Sequence, residues 1–303
     1  MKQNLYEKLA AVLGQEKVLA EEPMKKHTTF RVGGPADLFV MPSSEEEVKA
    51  AAAICDEEKV PYYIVGNGSN LLVSDKGYRG VIIQLYKEIS RIRVEDNVIY
   101  AQAGASLAKI ANTALESSLT GFEFAAGIPG TIGGACVMNA GAYGGEMKDV
   151  LLEVRVMTSD GEVIVLPKEK LELGYRTSVI AKEGYIVLEA AIELRPGEQE
   201  TIRTYMEELR EKRTSKQPLE YPSAGSTFKR PEGFFAGKLI QDAGLRGFQV
   251  GGAQVSEKHC GFVINAHEAT AADIVSLMDQ VSGRVREQFG VVLEPEVKKL
   301  GEF

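Results

Sequence analysis

The fold turns on Val65-Gly66-Asn67-Gly68-Ser69-Asn70-Leu71-Leu72-Val73-Ser74. Pro61 to Val65, which leads into it, reads as a strand. A dinucleotide-binding fingerprint would put a third glycine at position 71 and open a helix there. Leu71 stands in that place, and a turn at 75–80 and a second strand from Val81 to Leu85 follow. Strand–turn–strand excludes the NAD-type Rossmann fold. The loop can still cradle a phosphate or ribityl chain through its N–H groups and the Ser69 hydroxyl.

Upstream, Leu5, Leu9, Val12 and Leu13 form the apolar face of a helix that Gly14 ends. Residues 23–29 read as a connector and Ala36 to Val40 as a strand. Ser43 or Ser44 caps a helix with Glu46 and Glu47 at capping-box distance, burying Val48, Ala51, Ala52 and Cys55. Downstream come short strands at Ile89 to Val94 and Val98 to Gln102, then a helix capped by Ser106.

A second glycine-rich stretch runs from Gly127 to Glu146, where seven of twenty residues are glycine. Such density is costly in a helix or strand. It suits a backbone that turns through positive φ or lets a ligand come close. Gly127, Gly130 and Gly133 recur every third residue around Pro129, and N–H groups entering a helix form a nest for a pyrophosphate. Asn139, Tyr143 and Glu146 follow with polar side chains.

Ser159-Asp160-Gly161 then marks a hairpin. A long strand from Tyr185 to Leu194 ends at Pro196-Gly197, which reads as the main boundary. Beyond it lie a charged helix to about Arg213 and a last α+β unit. That unit has a helix with Phe235, Leu239, Ile240 and Ala243 on one face, strands at Phe248 to Val250 and Phe262 to Asn265, and a helix from Ala271 to Phe289. Thr270 caps this last helix, and Ile274, Leu277, Met278, Val281 and Val285 form its buried stripe.

The chain has 303 residues, 44% hydrophobic and 26% charged, with net charge −8. The size implies more than one domain. The charge and the absence of a basic run exclude a general nucleic-acid or membrane-surface role. No signal peptide or apolar span stands out, so a cytoplasmic location is expected. Cys55, Cys136 and Cys260 fit reduced thiols. His27, His259 and His267 show no metal spacing, so no metal is expected. No Walker loop or nucleophile elbow is present.

Three further stretches are over-specified for plain loops: Gly174-Tyr175-Arg176-Thr177-Ser178, Tyr221 to Arg230 and Leu293 to Lys298. Arg176, Ser226 and Glu296 offer a guanidinium for a carboxylate, a hydroxyl proton donor and an acid for charge stabilisation.

Together the two glycine-rich loops, Asn139-Ala140-Gly141-Ala142-Tyr143-Gly144 and these three stretches, in this order, resemble the UDP-N-acetylenolpyruvoylglucosamine reductase (MurB) family over nearly the whole sequence. The resemblance implies an α+β fold. A two-subdomain FAD-binding unit of the vanillyl-alcohol-oxidase (PCMH) type precedes a C-terminal α+β substrate domain. It gives an N-terminal helix and connector over 1–26, an FAD-binding domain over 27–195 (subdomains about 27–85 and 86–195), and a substrate domain over 196–303.

Noncovalent FAD is implied on Val65, Gly66, Asn67, Gly68, Ser69 and Asn70, and on Gly127, Ile128, Pro129, Gly130, Thr131, Gly133, Gly134, Asn139, Gly141 and Ala142. In the family, NADPH gives hydride to the flavin and leaves. The enolpyruvyl UDP-sugar then takes hydride at C3 and a proton at C2, in peptidoglycan precursor synthesis. Ser226 matches the proton donor, and Arg176 and Glu296 match the pair that stabilises the enolate-like state. Lys216, Tyr175 and Arg230 match substrate-binding positions, although Arg230 stands where many relatives have asparagine. Thr177 to Tyr185 leaves no room for the inserted tyrosine loop of one subclass, so the sequence resembles the shorter one. A monomer is expected. The competing readings are a non-catalytic nucleotide sensor and an oxygen-using sugar or alcohol oxidase on the same scaffold.

Overall fold

A computed structural model describes residues 2–303. The chain divides into two compact units. The first holds residues 2–20, 38–67 and 80–213, and the second holds 21–37, 68–79 and 214–303. Compactness thus does not divide the protein at Pro196-Gly197. The helix Gln199–Lys216 stays with the first unit as far as Arg213, and two early segments join the C-terminal residues.

The first unit carries two sheets. A four-stranded sheet has the order Val18–Pro23, Pro35–Val40, Tyr78–Gln84, Tyr62–Val65, and three of its strands run across the boundaries between the units. Tyr62–Val65 pairs parallel with Tyr78–Gln84 in the register Tyr62↔Val81. Val81, Ile82 and Ile83 are fully buried in a row, as a strand covered on both faces requires. The helix Glu45–Glu57 is capped by Ser44, whose hydroxyl accepts from Glu47 N–H, and it buries Val48, Ala51, Ala52 and Cys55 as expected.

The second sheet is antiparallel, in the order Val163–Pro167, Leu151–Met157, Ile186–Glu193, Val98–Gln102, Ile92–Glu95. The helix Leu107–Glu116, capped by Ser106, buries Leu107, Ile110, Ala111, Ala114 and Leu115. One apolar cluster runs through both sheets and these helices.

In the second unit the helix Ala271–Phe289 is held by a Thr270–Asp273 capping box and buries the stripe read from the sequence. Ala271 and Ala272 N–H also donate to the Asp75 carboxylate at 2.8 and 3.0 Å. A three-stranded sheet, Gln249–Val250, Ala253–Val255 and Val263–Asn265, packs with it in the same cluster. Lys298–Leu300 pairs parallel with Leu71–Val73.

Several expectations need correction. Val12 is 46% exposed, since the stripe of Lys2–Leu13 is only Leu5, Leu9 and Leu13. The connector at 23–29 follows an unforeseen strand, Val18–Pro23, and contains a 3-10 turn, Met24–Lys26. Phe235 caps its helix from outside and is 61% exposed instead of lining the buried face. Ile89 closes a 3-10 turn, and the strand begins at Ile92. Gly133 and Gly134 lie inside the short helix Ile132–Val137. Among the described residues no helix is long and apolar enough to cross a membrane.

Candidate active site

In the first unit the two glycine-rich loops meet. Asn67 Nδ2 donates to Pro129 C=O at 2.8 Å, and a Cβ on Gly66 would collide with Thr131 Oγ1. Gln84 Nε2 donates to Gly66 C=O at 3.3 Å. Leu107 N–H donates to Gly130 C=O at 3.1 Å, Ile132 N–H to Ala105 C=O at 2.9 Å and Gly133 N–H to Ala103 C=O at 2.9 Å. Thr131 is the N-cap of Ile132–Val137. Val65, Thr131 and Gly133 are buried supports, whereas Gly127, Pro129 and Gly134 are exposed.

Gly127, Gly130, Gly133 and Gly134 all keep ordinary backbone φ. Close approach therefore explains Gly127 and Gly133 better than turning does, while a Cβ on Gly134 would meet only ordinary contact. A Cβ on Gly133 would sit 3.0 Å from Ala103 Cβ and O, and one on Gly127 would sit 2.9 Å from Arg213 Cδ. Arg213 was not foreseen. Burial pushes its pKa below the usual guanidinium range, with Tyr143 acting the other way. A desolvated cation beside exposed loop amides is a donor set for a diphosphate.

The rest of the first loop belongs to the second unit. Gly68 has φ +60°, and a Cβ there would strike His27 C=O, so only glycine fits. Thr29 N–H donates to Gly68 C=O at 3.3 Å, and the buried Thr29 hydroxyl finds no hydrogen-bond partner in the protein. A buried hydroxyl left in this state is a place for a ligand to satisfy. Ser69 and Asn70 are half-buried. Asn70 Nδ2 donates to Glu296 C=O at 3.2 Å.

Arg176 lies on a tight turn in the first unit. Gly174 and Thr177 exchange backbone hydrogen bonds at 3.1 and 3.4 Å, leaving Tyr175 and Arg176 at the tip. Arg176 has φ +56°, a conformation that favours glycine or asparagine. Two anchors hold the turn. Buried Asn139 donates from Nδ2 to Gly174 C=O at 3.1 Å and to Glu146 Oε2 at 2.6 Å, while its Oδ1 accepts from Lys148 N–H at 2.9 Å. Ser178, fully buried, donates from Oγ to Val137 C=O at 2.7 Å. The helix that starts in the glycine-rich centre thus ends by fixing the arginine turn. Gly141 and Ala142 pair with Glu146 and Gly145 in a small hairpin beside Asn139. Tyr175 is 55% exposed, with the Arg176 guanidinium 5.2 Å from its ring centre.

Ser226 and Glu296 come together in the second unit. Phe228 bridges antiparallel to Pro295, Glu296 N–H donates to Thr227 C=O at 2.8 Å, and Lys229 N–H donates to Glu294 C=O at 2.8 Å. Thr227 is fully buried. Its N–H donates to Gly261 C=O at 2.9 Å, and its Oγ1 accepts from Val263 N–H at 2.8 Å. Ser226, next in line, is exposed, after Gly225 at φ +75°. The Glu296 side of this ladder is buried. Nearby His259 accepts Gly261 N–H on Nδ1 at 3.1 Å, and burial lowers its pKa below the usual imidazole range.

Lys216 is exposed at the end of its helix, beside Gln217, whose buried Oε1 has no partner. Arg230 is exposed, donates from Nε to Phe234 C=O at 3.3 Å and stacks on Phe235 at 4.0 Å.

Known proteins are similar to this chain in sequence and fold. Residues 36–167 match the model of the FAD binding domain, and residues 217–300 match that of the UDP-N-acetylenolpyruvoylglucosamine reductase C-terminal domain. UDP-N-acetylenolpyruvoylglucosamine reductase of Alkaliphilus metalliredigens is 52% identical over 301 residues, 99% of each protein. The chain belongs to the UDP-N-acetylenolpyruvoylglucosamine reductase family. Its counterpart in Clostridioides difficile is 51% identical over 300 residues, also covering 99% of each protein. The crystal structure of the family member from Thermus caldophilus superposes with a TM-score of 0.82 at 36% identity, covering 94% of this protein and 99% of that one. The 4-ethylphenol oxidase of Gulosibacter chungangensis shares the fold only, with a TM-score of 0.51 at 18% identity over 64% of this protein and 42% of that one. The fold is therefore the α+β, PCMH-type FAD-binding fold with a C-terminal domain that the sequence implied.

Sequence reasoning missed Arg213 and the segment from His27 to Gly34. A cation three residues before Lys216 and a third loop ending Gly33-Gly34-Pro35 were the available signals.

Proposed function

We propose that this protein reduces UDP-N-acetylglucosamine enolpyruvate to UDP-N-acetylmuramate with NADPH, using FAD, and that Ser226, Glu296 and Arg176 carry the sugar half of the reaction. The observation that supports this most directly is the bridge from Thr227 to Glu296, which puts an exposed serine and a buried glutamate on neighbouring extended segments. Bound FAD supplies the hydride relay between NADPH and the sugar nucleotide. The protein's own residues do the rest. The backbone N–H groups of Gly127 and Gly130, with Arg213, would neutralise the cofactor's diphosphate, since those of Ile128, Ile132, Gly133 and Gly134 are engaged within the protein. Gly66 to Ser69 and the Thr29 hydroxyl serve its ribityl side. Asn139 acts on the cofactor only indirectly, since its amide is engaged by Gly174, Glu146 and Lys148. Arg176 and Glu296 polarise the enolpyruvyl carboxylate, and Ser226 delivers the proton to C2. Lys216 and Arg230 meet the substrate diphosphate, with Tyr175 beside it. In the cell this reading places the enzyme in the cytoplasm as a monomer, feeding peptidoglycan synthesis and hence cell shape and division.

The test is anaerobic titration with NADPH, followed by the enolpyruvyl sugar. Bleaching of the flavin band by NADPH and its return on adding the sugar are expected. Rapid return with oxygen and none with the sugar would instead favour an oxidase.

The cofactor should be noncovalent. Its two glycine-rich loops contain no histidine, and the one cysteine in them, Cys136, is fully buried with its thiol pushed up to about 12 by burial. Acid precipitation is expected to release all yellow colour into the supernatant, and colour retained in the pellet would contradict this.

Gly133→Val is expected to give apoprotein or insoluble protein. Even its Cβ would press on Ala103 at 3.0 Å, and the branched methyls add to this in the first turn of a helix. The flavin-to-protein absorbance ratio of the purified variant is the check, and a normal ratio would detach this turn from cofactor binding.

A further inference from the structure

Asn70 ends the first glycine-rich loop, where the sequence pattern suggests a cofactor contact. Its side chain goes elsewhere: Nδ2 donates to the backbone carbonyl of Glu296 at 3.2 Å. The Asn70 backbone carbonyl accepts from Lys298 N–H at 3.0 Å, opening the parallel pairing of Leu71–Val73 with Lys298–Leu300. From the other side, Glu296 N–H donates to Thr227 C=O, one residue from Ser226.

The two peptide units flanking the Glu296 Cα are therefore both fastened. One is tied to the segment that carries the serine and the other to the loop. The direction of a Cα–Cβ bond follows from the planes of the two peptides that flank it. Holding both fixes where the carboxylate starts.

Asparagine suits this task. It supplies a neutral donor of fixed reach, whereas aspartate would set a carboxylate against the carbonyl and alanine would leave it unmet.

We propose that Asn70 is a positioning residue for Glu296, acting through the Glu296 backbone and not as a cofactor contact. This rests on the reading of Glu296 as the charge-stabilising acid of the sugar half-reaction. A displacement of the acid by even about an ångström costs on the order of tenfold to a hundredfold in rate.

The experiment uses the flavin-loaded wild type, Asn70→Ala, Asn70→Asp, Glu296→Gln and the double variant Asn70→Ala/Glu296→Gln. Flavin content, the NADPH half-reaction and the sugar half-reaction are each measured by absorbance. Both Asn70 variants are expected to keep full flavin and near-normal reduction by NADPH. The sugar half-reaction should slow about tenfold to a hundredfold, in kcat more than in KM. In the Glu296→Gln background the Asn70 change should add almost nothing, because the group it positions is already gone.

Loss of flavin, or equal slowing of both halves, in the shape-preserving Asn70→Asp variant would overturn the proposal and return Asn70 to the cofactor site. Full multiplication of the two effects in the double variant would also overturn it. Near-normal turnover of Glu296→Gln alone would instead remove the acid's role, a failure separable from that of Asn70.

Discussion

Ser226→Ala should leave flavin reduction by NADPH almost unchanged and slow reoxidation by the enolpyruvyl sugar by several orders of magnitude. The reasoning starts from charge. Hydride delivered to C3 of the enolpyruvyl group pushes negative charge into C2 and its carboxylate, and a proton must arrive at C2. A serine hydroxyl is a very weak acid, so it donates only to a strongly basic centre held close to it. The structure supplies the holding. Thr227 is locked by its N–H, hydroxyl and carbonyl, and Ser226 rises from that locked residue into exposure. Gly225 at φ +75° sets the approach. The alanine variant keeps every one of these backbone bonds, so the fold and the flavin loops are unaffected. Ser226→Cys should recover part of the rate, since a thiol also donates. Stopped-flow absorbance at the flavin band separates the two halves. Equal slowing of both halves, or of neither, would pass the proton donor's role to another group.

Much of this is readable in the sequence, for identifiable reasons. The helix Ala271–Phe289 shows its cap and stripe because both are local and periodic. The glycine-rich loops announce themselves because glycine at a close approach has no substitute. Leu71 excludes the Rossmann turn, and the strand Leu71–Val73 is indeed there. Its partner is not legible: Lys298–Leu300 is charged, short and 227 positions away by register. Val18–Pro23 escapes notice because Glu21 and Glu22 break its apolar pattern, with Glu21 at φ +51°. A spacing rule puts Val12 and Phe235 inside because it cannot tell the edge of a stripe from its centre.

The site shows the same limit more sharply. Asn70 and Asn139 each carry two donors and an acceptor, and sequence alone cannot say whether those face a ligand or the protein itself. Here both face the protein, and both support one of the proposed catalytic groups: Asn139 the turn of Arg176, Asn70 the backbone of Glu296. Arg213 is invisible for the opposite reason. It sits in a run of exposed charges, and only its packing against Gly127 sets it apart.

Arg176 offers a test in which stability and activity should part. An L-residue in the left-handed region costs about 1–2 kcal/mol, and Arg176 occupies it at φ +56° on a two-residue tip. Other non-glycine residues also have positive φ, but at Arg176 buried Asn139 and Ser178 brace the turn, so the strained conformation is held by its surroundings and the side chain is kept at the tip. Glycine relieves the strain and removes the guanidinium. Arg176→Gly should therefore melt no lower than the wild type, and bind flavin normally, while losing turnover with the enolpyruvyl sugar. Losing one preorganised charge-stabilising group costs roughly 100- to 1000-fold, about 3–4 kcal/mol. Arg176→Lys keeps the charge and the strain but loses the planar two-point grip on a carboxylate. It should fall in the same range, which separates geometry from charge. Glu296→Gln should match it, because its backbone bonds to Thr227 and Asn70 survive the change and only the carboxylate is lost. Thermal melting, flavin content and kcat for the sugar are measured on all three. A glycine variant that melts well below the wild type and turns over normally would make Arg176 a brace of the turn, and the carboxylate of the substrate would then need another partner.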